Sequence, residues 1–271
     1  MASIEKYTNS AVLYELRHNT RENPHPPKNV DIDPTRTKYN YYLKGTVFAT
    51  ESKQYYNKRK KELYCYGRAD VKTLCGWVIT VPADLPKNQE CAFFTATYDY
   101  LNSIYGEKNC IQCVVHYDEG VKNSLGRLIA GRPHMHYMFI PAVKNKKYMI
   151  PNLHGNITKS AQFKEKICAD SLINRSHLKR FHSDYQKYLN RKGFKCTVHS
   201  GITGGNNKTV EQLKSETKQH LIEKENEQLK DRIHQLEAEL VKAKEKDVVQ
   251  SAWGEQAGWD SRGDISWEKE F

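Results

Sequence analysis

Residues 114–142 constrain the fold of this chain more than any other stretch. Two apolar runs with period-two character flank a polar connection that contains glycine, which predicts two antiparallel strands. Side chains alternate between the faces of a strand, so His134 and His136 share one face, and strand pairing brings His116 beside them. Three imidazoles around one point predict a metal site with a position left for a substrate oxygen. The alternative is a set of surface or core histidines on an ordinary hairpin.

The chain is strongly basic. It has 43 Lys and Arg against 32 Asp and Glu in 271 residues, a net charge of +11. This charge favours a polyanionic partner, with nucleic acid as the first candidate, although a basic and solvated surface is the alternative. No apolar run approaches the roughly 18 residues of a membrane span, and the N-terminus lacks the apolar core of a secretion signal. We therefore expect a cytoplasmic protein without a membrane span.

Periodicity divides residues 1–200 into strands and helices. Prolines at 24, 26 and 27 favour extended or turn backbone within residues 1–43. The charged residues 50–72 predict an exposed helix or loop. The apolar patterns predict strands at 74–81, 110–116, 133–143 and 194–199, and helices at 88–105 and 174–192.

The C-terminal third has a different composition. Glycine and asparagine predict a flexible linker at 201–208, followed by a helix at 209–247 and a disordered tail at 248–271 that contains three tryptophans. Apolar residues recur in heptads with one asparagine at a core position, which predicts a parallel homodimer through residues 222–243. The alternative is a single amphipathic helix that packs on its own domain. The seam consists of Ile222, Asn226, Leu229, Ile233, Leu236, Leu240 and Ala243.

Basic and amide side chains interleave with tyrosine near the N-terminus. This mixture suits a surface that clamps a DNA backbone and stacks on bases, and an ordinary tyrosine-rich strand is the alternative. The predicted DNA-binding residues are Arg17, Asn19, Arg21, Arg36, Lys38 and Asn40, together with Arg132 beside the second metal strand.

A metal in a basic protein points to a phosphodiester as the substrate, and cleavage then needs a nucleophile and a proton acceptor. Asp118 and Glu119 directly follow the first metal strand. One of them could orient a ligand histidine from behind, and the other could accept a proton from the nucleophile. The chain has no helical zinc-peptidase signature and no cysteine positioned for thiol chemistry at this motif.

Two motifs together resemble a known family. His116-x-Asp118-Glu119, a variable loop and Pro133-His134-Met135-His136 resemble the signature of the HUH endonucleases, and within them the MobV/Pre plasmid relaxases. The stretches Arg17-His18-Asn19-x-Arg21 and Asn29-x-Asp31-Ile32-Asp33-Pro34-x-Arg36 resemble the first motif of that family. The likeness covers about residues 10–200. The loop between Glu119 and Pro133 is longer than in the short form of the motif, which could reposition Glu119.

The resemblance implies an α+β fold, in which helices pack on an HUH-type antiparallel sheet. It also implies a site- and strand-specific endonuclease that nicks single-stranded or hairpin DNA at an origin of transfer and becomes linked to the 5′ phosphate. His116, His134 and His136 would hold the metal, His18 would be the nucleophile, and Glu119 its base or orienting group. Asp118 would support the site from behind, and Arg21 and Arg36 would hold phosphate. Because imidazoles are softer than the oxygen ligands that Mg²⁺ prefers, we expect Mn²⁺ as the better cofactor.

Two other functions remain open from the residues alone. A rolling-circle replication initiator would use a tyrosine nucleophile, and the candidates are Tyr14, Tyr41, Tyr42, Tyr185 and Tyr188. A non-catalytic, metal-stabilised DNA-binding dimer would bind DNA without forming a covalent adduct.

Overall fold

The computed structural model describes residues 2–22, 32–122, 128–198 and 210–260. The chain divides into two compact units, residues 1–205 and 206–271. Each unit is described by itself below. The predicted linker at 201–208, the prolines at 24, 26 and 27, and the motif residues Asn29 and Asp31 lie outside the described residues.

A five-stranded antiparallel sheet organises the first unit, with the strand order β1-β3-β7-β4-β2. Two-stranded ribbons, β5–β6 and β8–β9, extend from it. The strands are β1 (Ala2–Thr8), β2 (Tyr41–Lys44), β3 (Lys72–Thr80), β4 (Cys110–His116), β5 (Val121–Lys122), β6 (Leu128–Ala130), β7 (His134–Phe139), β8 (Ala142–Lys144) and β9 (Glu165–Ile167). The helices are α1 (Val12–Thr20), α2 (Ala49–Lys61), α3 (Glu90–Tyr105), α4 (Ala169–Leu172) and α5 (Arg175–Arg191).

Helices cover both faces of the sheet. On one face, α3 and α5 pack on β3 and β7, where Trp77 stacks on Phe181 with ring centroids 3.9 Å apart. On the other face, Leu16 of α1 and Tyr56 of α2 pack against Met138. Because side chains alternate along β7, His134 and His136 face the same side as Met138. The histidines therefore share a face with α1 and α2.

The sequence analysis predicted most of this framework. The strands at 74–81 and 110–116 and the helices at 88–105 and 174–192 are confirmed within one or two residues at most ends. Gly106 follows α3 with a positive φ of 83°, a conformation in which glycine has no Cβ penalty. The predicted strand at 133–143 is instead two strands, β7 and β8, separated at Ile140–Pro141.

The predicted closing strand at 194–199 is wrong over its described residues, 194–198. Side chains satisfy this backbone in place of a neighbouring strand. Gln186 donates to the carbonyl of Cys196 and accepts from the amide of Val198, while Asp84 accepts from the amide of Thr197. With these bonds made, the segment needs no strand partner.

The N-terminal region also differs from the expectation of extended or turn backbone. β1 forms the edge of the sheet, and α1 follows it before the prolines begin. Val12 and Leu16 are one turn apart and fully buried, which is the burial pattern of an amphipathic helix. The prolines forbid a long helix but leave room for this short one.

The described residues of the second unit form one helix, α6 (Val210–Asp260). It continues beyond the predicted end at residue 247, and residues 248–260 contain no proline, the residue that most strongly interrupts a helix. Residues 261–271 of the predicted disordered tail lie outside the described residues. Of the described residues, none belongs to a helix long and apolar enough to cross a membrane.

Candidate metal and catalytic site

The paired ends of β4 and β7 bring the three histidines together. His116 lies directly opposite His134 in the register, and His136 lies two residues further along β7. The ring centroids of the three imidazoles are 4.8 to 5.5 Å apart. Glu119 joins them, so that one potential ligand atom from each of the four residues lies within 4.8 Å of the others.

Two of these rings, those of His116 and His134, are oriented by contacts of the ring nitrogen that points away from the cluster. His116 Nε2 donates to the carbonyl oxygen of Asn19 at 2.9 Å, which leaves Nδ1 facing the cluster. His134 Nδ1 lies 3.3 Å from the carbonyl oxygen of Arg132, and its Nε2 faces Glu119. Ligand histidines in metal sites commonly have such a backbone partner on the outer nitrogen.

Two inward nitrogens are buried without a hydrogen-bond partner, His116 Nδ1 and His136 Nε2. Buried polar atoms in proteins almost always have a partner, so two orphans within one cluster require an explanation. Neutral imidazole nitrogens with a free lone pair are metal ligands, and a carboxylate completes the set. The residues present therefore fit a divalent cation.

Burial keeps the imidazoles of His116 and His136 uncharged. Burial and the positive charge of Arg21 together lower the pKa of His116 to about 3. Burial also places the pKa of His136 well below its usual range. Neutral imidazole is the form that binds a metal, so the site keeps its ligands ready well below neutral pH.

Helix α1 places His18 beside this cluster. The site therefore has two halves, which are α1 with the residues that follow it and the paired ends of β4 and β7. The His18 ring centroid lies 5.9 Å from that of His136 and 6.5 Å from that of His116. Its Nε2 lies 3.6 Å from Glu119 Oε1. Burial lowers the pKa of His18, so its imidazole is neutral at physiological pH.

Arg21 ends α1 one turn after His18. It adopts a left-handed backbone conformation with φ of 63°, and its guanidinium donates to the carbonyl oxygen of His18 at 3.0 Å. The same guanidinium binds Asp118 with two hydrogen bonds, at 3.0 and 2.6 Å, and Glu119 at 2.7 Å. Arg21 thus ties the end of the α1 helix to the end of strand β4.

Glu119 is the shared neighbour of both halves. Its Oε2 lies 3.3 Å from His134 Nε2, and its Oε1 approaches Arg21 and His18. Burial alone would raise the pKa of Glu119, but the hydrogen bond with His134 and the charge of Arg21 outweigh it and hold the pKa well below its usual range. Glu119 is therefore an anion placed both to complete a ligand set and to orient the His18 imidazole.

Asp118 has a different environment from the one the sequence suggested. Its side chain is fully buried, and besides Arg21 it accepts hydrogen bonds from Thr37 at 2.8 Å and Asn40 at 2.8 Å. These partners come from the N-terminal segments and include no histidine. The carboxylate consequently anchors α1 and the segment before β2 to the site.

A second buried connection joins the two halves, and the sequence analysis missed it. The side-chain amide of Asn19 donates to Gln112 Oε1 at 3.0 Å, while the Asn19 carbonyl accepts from His116. Both Asn19 and Gln112 are buried. The one sequence signal is a glutamine inside an otherwise apolar strand, because a buried amide requires a polar partner.

The predicted DNA-binding residues separate into two groups. Lys38 and Arg132 are exposed, and Arg17 is half-buried. Arg36 donates through Nε to the carbonyl oxygen of Tyr117. Asn19, Arg21 and Asn40 make the internal contacts described above, so in this structure their side chains serve the architecture of the site.

The tyrosines considered as nucleophiles do not join the cluster in the same way as His18. Tyr185 is buried and paired with Thr97, and Tyr188 packs on Tyr100, both on the α3–α5 face across the sheet from the histidines. Tyr41 also packs against that face. Tyr14 is exposed on α1. Tyr42 has an electrostatic environment that includes Arg21 and Asp118, and burial raises its pKa.

We expect replacement of Arg21 by methionine to destabilise the fold by about 3–5 kcal/mol, because it leaves the buried Asp118 carboxylate without its cation. Urea unfolding followed by circular dichroism measures this change. The double replacement Arg21→Met with Asp118→Leu is the control, since removal of both charges should restore part of the loss. An equally large loss in the double variant would contradict this account.

Known plasmid proteins resemble this chain in sequence. The family model described as plasmid recombination enzyme matches residues 1–204. Plasmid recombination enzyme type 1 of Staphylococcus aureus is 26% identical over 79% of this chain and 48% of its own length. A plasmid recombination enzyme of Bacillus thuringiensis is 24% identical over 70% of this chain and 37% of its own length. The chain thus spans less than half the length of these curated relatives.

The solved structures include the relaxase domain of MobM bound to origin-of-transfer DNA of plasmid pMV158, in a Mn-bound crystal structure at pH 6.8. It is 25% identical, with a TM-score of 0.56 over 79% of this chain and 97% of that domain. A second structure of that domain, Mn-bound at pH 5.5, has a TM-score of 0.58 at 23% identity. The expected α+β fold is confirmed by this likeness. With a family model that covers most of its length, this chain belongs to the plasmid recombination enzyme family.

Proposed function

We propose that this chain is a relaxase: a metal-dependent, site- and strand-specific DNA endonuclease that nicks an origin of transfer and initiates plasmid mobilisation. The observation that carries the proposal is the convergence of His18 and Glu119 beside three histidines, two of which have a buried nitrogen without a hydrogen-bond partner. Its relatives are plasmid recombination enzymes, and MobM is a relaxase bound to origin DNA, which supports the same role here. The bacterial cytoplasm, where plasmid DNA lies, is the proposed place of action.

His116, His134 and His136, with Glu119 beside them, would hold the divalent cation. When bound, the cation neutralises charge on the scissile phosphate. Mn²⁺ is the proposed cofactor and Mg²⁺ a weaker one, because imidazole ligands favour the softer ion. The Mn-bound structure of MobM supports this choice.

The chain's own residues would carry out the transfer. A neutral His18 nitrogen attacks phosphorus, a nitrogen–phosphorus bond forms, and the bond to the 3′ oxygen breaks. Glu119 would orient the imidazole and stabilise the positive charge that develops on it. The proton that the imidazole releases would pass to solvent, and the leaving oxygen would become a 3′ hydroxyl with a proton from solvent. Asp118 and Arg21 hold α1 so that His18 stays beside Glu119.

Incubation of the full chain with a supercoiled plasmid that carries its own replicon's origin tests the proposal. We expect relaxed product and a protein–DNA adduct with Mn²⁺, less with Mg²⁺, and neither product in EDTA. Equal activity in EDTA would contradict a metal role. DNA binding without any adduct would favour the non-catalytic dimer instead.

We propose that the chain binds single-stranded or hairpin DNA at the origin. Exposed Lys38 and Arg132 and half-buried Arg17 would contact phosphates around the histidine cluster. The Nε–H of Arg36 already donates a hydrogen bond to a backbone carbonyl, so Arg36 would contact DNA through its other guanidinium N–H groups.

The buried histidines predict how stability depends on pH. Between pH about 3 and 6.5 the unfolded chain binds a proton at His116 that the folded chain does not bind. Stability of the metal-free protein therefore falls as pH drops through this window, at up to about 1.4 kcal/mol per pH unit for each such group. Urea unfolding in EDTA at pH 7, 6 and 5 measures the slope. The variant His116→Asn should show a smaller slope, because it lacks the contribution of the His116 imidazole. An unchanged slope would contradict the assignment of this contribution to His116.

We also propose that residues 222–243 form a parallel coiled-coil homodimer and that 201–208 links it to the catalytic unit. The seam residues Ile222, Leu229, Ile233 and Leu236 lie on one helix and are 47–54% exposed in the single chain. A second copy would bury them, with Asn226 paired across the seam.

We expect the full chain to sediment as a dimer and the variant Ile233→Glu to sediment as a monomer, because a buried acid disrupts the seam. Glu227→Gln, which changes an exposed side chain on the outer face of the helix, is the matched control. A wild-type chain that is monomeric at micromolar concentration would contradict the homodimer.

A further inference from the structure

A basic groove lies at the end of β7 that is opposite to the histidines. It has a volume of about 630 Å³, and its walls are the C-terminal end of α2, residues 63–67 and residues 159–163. β7 begins at His134 and ends at Phe139, a length of about 20 Å at the rise of a strand. The groove is therefore separate from the metal and catalytic site.

The groove combines lysines with aromatic rings. Lys60, Lys61 and Lys159 line it with Tyr64 and Phe163, and none of the described residues that line it is acidic. Lys61 and Lys159 are exposed and have no ion-pair partner among the described residues. The negative end of the α2 dipole explains lysines at 58–61, but it does not explain Lys159, which comes from a distant segment.

Tyr64 is the centre of the aromatic part. Its ring lies edge-to-face with Tyr66 at 5.0 Å between centroids, and 6.1 Å from Phe163. Tyr66 is 47% exposed, so a large apolar ring faces solvent next to the lysines. Exposed aromatic rings beside cations are the elements that bind unpaired bases and the phosphates between them.

The walls are held in place without a ligand. Buried Arg59 of α2 binds Glu165 at 2.7 Å and Asn109 at 2.9 Å. Backbone hydrogen bonds join Tyr64 to Glu165 and Ile167, and the Asn145 side chain donates to the carbonyls of residues 160 and 163. The groove is therefore formed before a ligand binds, and binding would cost little conformational entropy of the protein.

We propose that this lysine-aromatic groove binds single-stranded DNA on the part of the substrate strand away from the nick, an inference that rests on the proposed function. The bound segment would lie about 20 Å from the reacting phosphate, the length of β7. An acidic peptide would match the lysines but would leave the aromatic rings without a function, so DNA is the occupant that uses both parts.

Fluorescence anisotropy with an oligothymidylate of about 30 nucleotides, in EDTA, tests the groove without cleavage. The variant Lys61→Ala with Lys159→Ala should bind about tenfold more weakly, and its salt dependence should be shallower by about 1.4, since two phosphate contacts are lost. The matched control, Lys179→Ala with Lys187→Ala, removes the same charge from exposed positions of α5 and should leave affinity nearly unchanged. Tyr64→Leu should weaken binding with no change in the salt slope.

Equal losses in the α5 control would overturn the groove, because the effect would then be one of net charge. Loss of binding to polyglutamate, with oligothymidylate binding unchanged, would assign the groove to an acidic protein partner. Circular dichroism melting identifies any variant that fails to fold. Failure of the wild type to nick would reject the proposed function and leave the anisotropy result to be judged by itself.

Discussion

Replacement of His18 by alanine should abolish nicking and the covalent adduct, with a loss of about 10⁴-fold or more, as expected when a nucleophile is removed. His18 is the neutral imidazole of α1 beside Glu119. The buried residues of α1 are Val12, Leu16, Asn19 and Thr20, and His18 is not among them, so its truncation should leave the fold and DNA affinity nearly unchanged. Plasmid relaxation and denaturing gels of the adduct measure the two losses.

Tyr42→Phe is the matched control for this experiment. Tyr42 is the candidate tyrosine whose electrostatic environment includes Arg21 and Asp118, and phenylalanine keeps its ring while removing the hydroxyl. We expect nearly wild-type nicking from this variant. Full activity in His18→Ala, combined with an inactive Tyr42→Phe, would assign the chemistry to tyrosine and favour the replication-initiator alternative.

The stability of the adduct gives a second, independent reading of the nucleophile. A histidine phosphoramidate is lost in mild acid, whereas a tyrosine phosphodiester survives it. We expect brief acid treatment of the wild-type adduct to release the DNA. An acid-stable adduct would contradict attack by His18.

Replacement of His136 by alanine should weaken Mn²⁺ binding by more than about 100-fold. Loss of a residue that hydrogen-bonds to a metal ligand lowers metal affinity by about 10- to 100-fold, so loss of the ligand itself should lower it more. His136 Nε2 is buried without a hydrogen-bond partner, so the metal is its only proposed interaction at that atom. Isothermal titration with Mn²⁺ in the absence of DNA measures the change apart from activity.

Thermal unfolding provides the control for this metal prediction. Mn²⁺ at about 100 times its Kd should stabilise the wild type by about 2.7 kcal/mol, and the same concentration should not stabilise His136→Ala. His154→Ala, which removes an exposed histidine from the loop after β8, should behave as the wild type. Undiminished Mn²⁺ stabilisation of His136→Ala would reject the proposed ligand set.

The sequence by itself determined the parts of the site that depend on local pattern. Period-two alternation placed His134 and His136 on one face of a strand, and pairing of two neighbouring strands brought His116 opposite His134. The same logic predicted α3 and α5, whose apolar positions follow the helical period. These predictions succeed because each depends on residues close in the chain or on the pairing of sequential strands.

Prediction from local sequence pattern failed where a distant side chain, and not a neighbouring strand, makes the hydrogen bonds to the backbone. Residues 194–198 have the composition of a strand, yet Gln186 and Asp84 satisfy their backbone. The short helix α1 was also missed, because the nearby prolines dominate the sequence signal there. In both cases the missing information is which distant groups come into contact.

The tertiary structure alone decided how the two halves of the site meet. The face of the sheet on which α1 packs places His18 beside Glu119 and leaves Tyr185 and Tyr188 on the opposite face. Three connections between segments about a hundred residues apart fix this arrangement: Arg21 to Asp118, Asn19 to His116, and Asn19 to Gln112. No period or spacing encodes such contacts, because they arise only when burial forces each polar group to find a partner.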